Sequence, residues 1–214
     1  KIKPFVLRRE KREVLDSLPE KTEIVLECPL SDKQMQLYLT VLEATKKGIQ
    51  VNKHKRDKLN MLTALLKLRQ VCTHPDLIQE FNGLGIESAK FEMLKEKCDQ
   101  LIDEGHKVVV FSQFTSMLDI IETWVNTQKI NYERIDGSVS GKERMNRVDR
   151  FQTSDDPMLF LISLKAGGVG INLNDKLKAT AGLSYKLVGA IDNSDISKKD
   201  IGGISLSGSI IYGF

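Results

Sequence analysis

Cysteine, long apolar runs and nucleotide-binding signatures are all scarce or missing here, and each absence excludes something. Three cysteines, Cys28, Cys72 and Cys98, stand in 214 residues without a C-x-x-C pair, which argues against a disulfide framework and a zinc ribbon and for a reducing compartment. The longest strictly apolar runs, Val108 to Phe111 and Met158 to Ile162, are far too short to cross a bilayer, and no signal-peptide layout opens the chain. An intracellular protein with no membrane partner is expected. Charge is nearly balanced, with 32 basic and 29 acidic residues and a net +3, so the total does not announce a nucleic-acid binder and the distribution must decide. What is present is enough for a real core. Apolar residues make up 41%, which excludes disorder and a collagen-like repeat. At roughly 150 residues per domain the length corresponds to about one and a half domains. The chain opens at Lys1 in a charged stretch, which points to a fragment of something longer.

Three textures follow one another. Residues 1–87 read mostly helical, with a short strand candidate at Glu23 to Glu27. Ser31 and Gln34 form a capping-box pattern before the stripe Met35, Tyr38, Val41, Leu42, and a second stripe runs Leu59, Leu62, Leu65, Leu66. Between and beside these helices lie Lys46, Lys47, Lys53, Lys55, Arg56 and Lys58 against a single Asp57, either a solvated face or a phosphate-facing surface. From Ser88 to Leu173 helix and strand alternate. Phe91, Leu94, Cys98, Leu101 and Ile102 mark a helix ending at Gly105, and Val108 to Phe111 reads as a buried strand. A helix on Met117, Leu118, Ile121 and Val125 precedes a strand at Tyr132 to Ile135. Ser140 and Glu143 then open a helix carrying Met145 and Val148, and Met158 to Leu164 is a third strand. The spacing predicts right-handed crossovers and a parallel α/β sheet with helices on both faces, preceded by a helical protrusion.

Open parallel sheets bind ligands beyond the carboxyl ends of their strands. The three loops expected there are Ser112-Gln113-Phe114, Asp136-Gly137-Ser138 and the run from Ser163 to Gly170. Each offers a hydroxyl, and two offer glycines that let backbone N–H groups approach an anion. Phosphate or nucleotide is the natural ligand class.

Three segments resemble the SWI/SNF-type helicase-like ATPases, DNA translocases of helicase superfamily two. Lys107 to Asp119 resembles that family's motif IV, Ile135 to Arg144 with Phe151 the loop and helix after it, and Phe160 to Leu173 its motif V. Leu7-Arg8-Arg9, Leu18-Pro19, Gln34, Tyr38, Leu68-Arg69, Cys72 and His74-Pro75 are similar to the approach to its second lobe. The resemblance implies a RecA-like C-terminal lobe over 88–173 behind a helical lead-in and protrusion over 1–87. It implies DNA-backbone contacts from Ser112, Gln113, Gly137, Ser138, Ser163 and Lys165, and a nucleotide-proximal position for Gly168, Gly170 and Asn172. ATP and Mg²⁺ would serve the intact two-lobed enzyme, with none bound by this chain alone. Implied partners are the double-stranded DNA backbone, the N-terminal RecA-like lobe, and a nucleosome, polymerase or other DNA-bound protein. The compartment would be the nucleus in a eukaryote and the cytoplasm in a prokaryote.

Some family parts do not occur in these residues. There is no G-x-x-x-x-G-K-[ST], and no arginine or histidine follows Arg150, so the arginine fingers of motif VI are missing and a chain truncated before that motif is expected. Asp103-Glu104-Gly105-His106 spells D-E-x-H but finishes a helix instead of following a strand, so no catalytic role is assigned to it. Residues 174–214 form a divergent Ser/Gly/Ile-rich tail of unknown role, in which Ile204 to Ile210 alternates like a strand. It reads either as unrelated residues after a truncation or as a graft over a sheet edge. Cys72 and His74 lack a second ligand pair, which makes a packed or turn histidine the preferred reading, and Trp124 is expected to cover the sheet.

Overall fold

A computed structural model describes residues 24–51, 57–167, 179–182, 184–186 and 205–208, with side chains over 26–47 and 61–166. Strand β1 (Ile24–Glu27) leads into helices α1 (Asp32–Val51) and α2 (Asp57–Thr73), which pack on each other. After two 3₁₀ turns come α3 (Ala89–Asp103), β2 (Val108–Ser112), α4 (Thr115–Gln128), β3 (Tyr132–Ile135), α5 (Gly141–Thr153) and β4 (Leu159–Ser163). A single helical turn, Leu164–Gly167, follows, then β5 (Ala179–Gly182), β6 (Ser184–Lys186) and β7 (Ser205–Gly208).

The four strands β3-β4-β2-β5 form one sheet, parallel throughout. Strand faces alternate, and the two sets of side chains meet different helices. Val108, Val110, Leu159 and Leu161 pack with Phe91, Leu94, Cys98 and Leu101 of α3 and Met117, Leu118, Ile121 and Val125 of α4. On the opposite face Val109, Phe160 and Ile162 meet Val148 and Phe151 of α5, and the Phe151 and Phe160 rings lie 4.7 Å apart. Both faces are therefore covered, as the near-continuous apolar strands require. Burying each such side chain contributes about 1.5–3 kcal/mol.

Local chemistry sets the element ends. Ser88 caps α3 by accepting from the Phe91 N–H at 3.1 Å, and Ser140 caps α5 through the Glu143 N–H at 3.3 Å. Gly105 takes φ +79° just past α3, a left-handed turn that glycine adopts without steric cost. The D-E-x-H residues thus close a helix, with Asp103 its last residue and Glu104 its C-cap.

Four apolar positions face the other way from the sequence expectation, Leu65 at 40% and Leu66 at 42% exposure among them. Leu62 is 63% and Met145 61% exposed, while Ala64, Leu68, Val71 and Cys72 form the buried side of α2 and Val148 and Phe151 that of α5. Helix α2 packs on α1, so the stripe Leu62, Leu65, Leu66 lies on the outer side of that pair, and Leu59 lies outside the described side chains. In the tail, β5 extends the parallel sheet beside β2 and β7 pairs antiparallel with β1 and β6. Among the described residues no helix is long and apolar enough to cross a membrane.

Candidate nucleic-acid interface

Register brings the three loops together. Ser112 of β2 stands level with Ser163 of β4, and Ile135 of β3 with Ile162 of β4, so Asp136 falls in the same row. With strands about 4.8 Å apart, the loops after β3, β4 and β2 lie side by side along roughly 10 Å of the carboxyl edge.

The hydroxyls at this edge build the loops. Ser112 is buried; its Oγ donates to the Phe114 carbonyl at 2.9 Å and accepts from the Phe114 N–H at 3.1 Å. Ser163, also buried, accepts from the Ala166 N–H at 3.3 Å and so caps the helical turn. Ser138 donates to Asp136 Oδ1 twice, through its hydroxyl at 2.6 Å and its N–H at 2.9 Å, an Asx-type turn. Among the described residues of these loops, Gln113, Gly137, Ser138, Leu164 and Lys165 are exposed. A Cβ placed on Gly137 would meet nothing within 4 Å, so the backbone there is open to approach from outside.

Asp136 is itself held. Its carboxylate receives Arg134 Nε at 3.0 Å, and Arg134 Nη1 donates to Asp119 and Glu122 of α4 at 2.7 Å each. The two hydrogen bonds from Ser138, with Arg134 adding to them, hold the Asp136 carboxyl below the usual range. Burial disfavours the Arg134 charge, yet Asp119, Asp136 and Glu122 outweigh it and push its pKa up. On α5, Arg150 grips Glu133 of β3 through two bonds of 2.6 and 3.1 Å, and Arg147 donates to Glu143 at 3.2 Å. The last arginines of the chain are thereby tied to their own lobe.

A residue outside the sequence prediction reaches the edge as well. Arg69, near the end of α2, donates through Nη2 to Oε1 of the exposed Gln113. The signal was present in the Leu68-Arg69 pair, but only the fold brings α2 to the loop after β2. His74 packs edge-on against Phe91 with centroids 5.6 Å apart and accepts from the Asp76 N–H, as a turn histidine does. Trp124 packs against the same core cluster and meets Phe91 edge-on. Gly168, Gly170, Asn172, Arg8, Arg9, Lys53, Lys55, Arg56 and the side chain of Lys58 lie outside the described residues.

Residues 89–176 match the family described as "Helicase conserved C-terminal domain", and residues 1–77 match "SNF2-related domain". The chain is 38% identical over 183 residues to the CHD3-type chromatin-remodeling factor CHR7 of Arabidopsis thaliana, covering 79% of this chain and 15% of that protein. It is 34% identical over 196 residues to the nuclear protein STH1/NPS1 of Saccharomyces cerevisiae, covering 80% and 14%. The Sulfolobus solfataricus SWI2/SNF2 ATPase C-terminal domain superposes with a TM-score of 0.61 at 30% identity, covering 69% of this chain and 65% of that one.

The chain belongs to the SWI/SNF-type helicase-like family.

Its α/β sheet is the RecA-like fold of the SWI2/SNF2 C-terminal lobe. A second Sulfolobus structure of the family, the ATPase core in complex with dsDNA, has a TM-score of 0.67 at 28% identity over 85% of this chain and 39% of that one. The chain spans between 10% and 15% of the length of the first three curated relatives.

Proposed function

We propose that these residues are the second lobe of an ATP-dependent double-stranded DNA translocase of the SWI/SNF type, acting in chromatin or protein–DNA remodelling in the nucleus. Residues 88–173 form the lobe and 1–87 its lead-in and protrusion. The observation that carries this reading is the row of three loops on adjacent parallel strands, with Gln113, Gly137, Ser138 and Lys165 exposed along it. The open Gly137 backbone, the Gln113 amide and the Lys165 ammonium suit phosphate oxygens and carry no base code, while both donors of Ser138 turn inward to Asp136. The complex of the related Sulfolobus core with dsDNA supports the same ligand. In use, the lobe grips one backbone strand while the N-terminal RecA-like lobe moves against it; a nucleosome, polymerase or other DNA-bound protein would be the object displaced.

ATP and Mg²⁺ belong to the intact two-lobed enzyme in this proposal. The described residues do not fit a Mg²⁺ site: Asp136 is engaged by Arg134 and Ser138, Glu133 by Arg150, and no cluster of three metal-ligating side chains stands among them. No hydrolytic step is assigned to this lobe. Without a phosphate-cradling loop in its sequence, the 214-residue chain is expected to bind duplex DNA without turning over ATP.

The deciding experiment measures ATP hydrolysis and duplex binding by the 214-residue chain across 50–200 mM salt. The expected result is no turnover and an affinity that falls steeply with salt and ignores base sequence. Lys165→Ala should lower the slope of log affinity against log salt by about one. Turnover by the chain alone, or binding indifferent to salt, overturns the proposal. Binding of a protein partner with no DNA affinity would instead favour a non-catalytic interaction module.

A further inference from the structure

We infer that Arg69 is a positioning residue for the DNA-facing loop after β2, acting by fixing the side-chain amide of Gln113 with its N–H₂ group outward. This deepens the proposed DNA-binding reading and rests on it.

An exposed glutamine amide ordinarily rotates freely, offering oxygen or nitrogen to a ligand with equal ease. A phosphate oxygen accepts only from the nitrogen. Arg69 has donors and no acceptor, so its contact with Oε1 selects one of the two amide orientations. With the oxygen held against α2, the two Nε2 hydrogens turn away from Arg69. Gln113 is exposed at the carboxyl edge of β2, next to the row formed by Ser112 and Ser163.

The arm carrying Arg69 is braced against the sheet. The Ser88 hydroxyl donates to the Thr73 carbonyl at 2.7 Å, the Gln34 amide to the Val71 carbonyl at 3.2 Å, and the Thr73 hydroxyl to the Arg69 carbonyl at 2.8 Å. The Ser88–Thr73 bond ties the end of α2 directly to the start of α3, and Gln34 of α1 joins the same two ends by also accepting from the Ala89 N–H at 3.0 Å; Phe91 and Leu94 of α3 sit in the sheet's core. On the other side, the loop after β2 is set by Ser112 and Phe114. Both ends of the Arg69–Gln113 contact are thus fixed by bonds that do not depend on it, and the guanidinium needs no DNA present to orient the amide.

A positioning role and a direct phosphate contact predict different numbers. If Arg69 acts through Gln113, Gln113→Ala weakens duplex binding by about five- to tenfold, the loss of one charge-assisted hydrogen bond, and Arg69→Ala by about twofold, because the freed amide still presents its nitrogen about half the time. The double variant is then no weaker than Gln113→Ala alone. The salt slope stays at the wild-type value in all three, because a neutral amide displaces no counterion. Gln113→Glu keeps the partner for Arg69 but removes the N–H₂ group, and should bind no better than Gln113→Ala. An additive double variant with a slope reduced by about one in Arg69→Ala would overturn positioning in favour of direct contact.

A second readout needs no DNA. In the free 214-residue chain the side-chain N–H₂ resonances of Gln113 should separate and exchange more slowly in wild type than in Arg69→Ala. Identical resonances in the two proteins overturn the inference even where DNA is bound. Absence of salt-dependent DNA binding by wild type, with the resonance difference intact, would sink the DNA reading and with it the role assigned here.

Discussion

Asp136 and Ser138 form a closed pair at the sheet edge: one carboxylate oxygen receives both the hydroxyl, at 2.6 Å, and the backbone N–H, at 2.9 Å. Through Arg134 the same carboxylate is tied to Asp119 and Glu122 on α4. The loop between β3 and α5 is therefore shaped before any ligand arrives, at the cost of engaging the N–H and hydroxyl of Ser138 as inward donors.

Removing that carboxylate should loosen the loop. Asp136→Ala frees two Ser138 donors and leaves Arg134 with two of its three carboxylate partners, an expected loss of about 1–2 kcal/mol in a urea melt. The acid dependence has a definite sign. Because the folded-state pKa of Asp136 lies below its unfolded value of about 3.9, its contribution is complete above that value and disappears as pH falls through the lowered one. A carboxyl ¹³C titration of Asp136 should have its midpoint below that of a free aspartate, and a midpoint at or above the free value would refute the latch.

Gly137 separates folding from binding. No left-handed backbone is recorded there and a Cβ would meet nothing within 4 Å, so Gly137→Ala should fold as well as wild type or better, by up to about 1 kcal/mol. If phosphate approaches this backbone closely, the added methyl should weaken duplex binding several-fold at every sequence. Unchanged affinity at 50 mM salt would remove Gly137 from the interface.

Gln34 joins three helices. Fully buried, it accepts from the Ser31 N–H at 3.5 Å and the Ala89 N–H at 3.0 Å and donates to the Val71 carbonyl at 3.2 Å. Gln34→Leu keeps the volume but strands the Ala89 N–H and the Val71 carbonyl, which should cost about 2–5 kcal/mol in equilibrium denaturation. Loss of Arg69-dependent DNA affinity should accompany it, since the end of α2 is held through the same bonds. A stability change within about 0.5 kcal/mol, the scatter of surface substitutions, would show the junction to be redundant.

Period and capping signals carried the sheet. Val108 to Phe111 and Met158 to Ile162 are apolar runs that only a doubly covered strand accommodates, and Ser88, Ser140 and Gly105 mark helix ends by chemistry that acts within four residues. Gln34 was visible as half of a capping box with Ser31, but its reach to Val71 and Ala89 was not, because those contacts span 37 and 55 residues. The same limit hid Arg69, 44 residues from Gln113. The stripe Leu62, Leu65, Leu66 misled for a different reason: helical period identifies a face but not which face meets a neighbour, and α2 turns Leu68 and Val71 inward. The serines of the site were found by type; only the bonds show that Ser112 and Ser163 serve the backbone.

Lys90 supplies a pH test of the buried junction itself. It sits in the first turn of α3, almost fully buried and within electrostatic reach of Cys28 and Cys72, and desolvation pushes its pKa down to about 8. The unfolded chain holds that proton up to about pH 10.4. Between the two values the unfolded state binds more protons, so this lysine makes stability rise with pH, by up to roughly 3 kcal/mol in all. The cysteines pull the opposite way. Burial holds the thiol of Cys72 up at about 11 and that of Cys98 at about 12, against about 8.5 unfolded, so their contribution is complete below 8.5 and lost above it. The wild-type curve mixes both signs, whereas Lys90→Met removes the lysine and, with it, the positive charge that pulls the Cys28 and Cys72 thiols down against their burial. Under reducing conditions, the stability of Lys90→Met relative to wild type should be highest below pH 8 and fall by up to about 3 kcal/mol by pH 10.5. A difference that stays flat from pH 7 to 10.5 would mean that the ammonium is solvated in the folded chain and that the start of α3 is open to water.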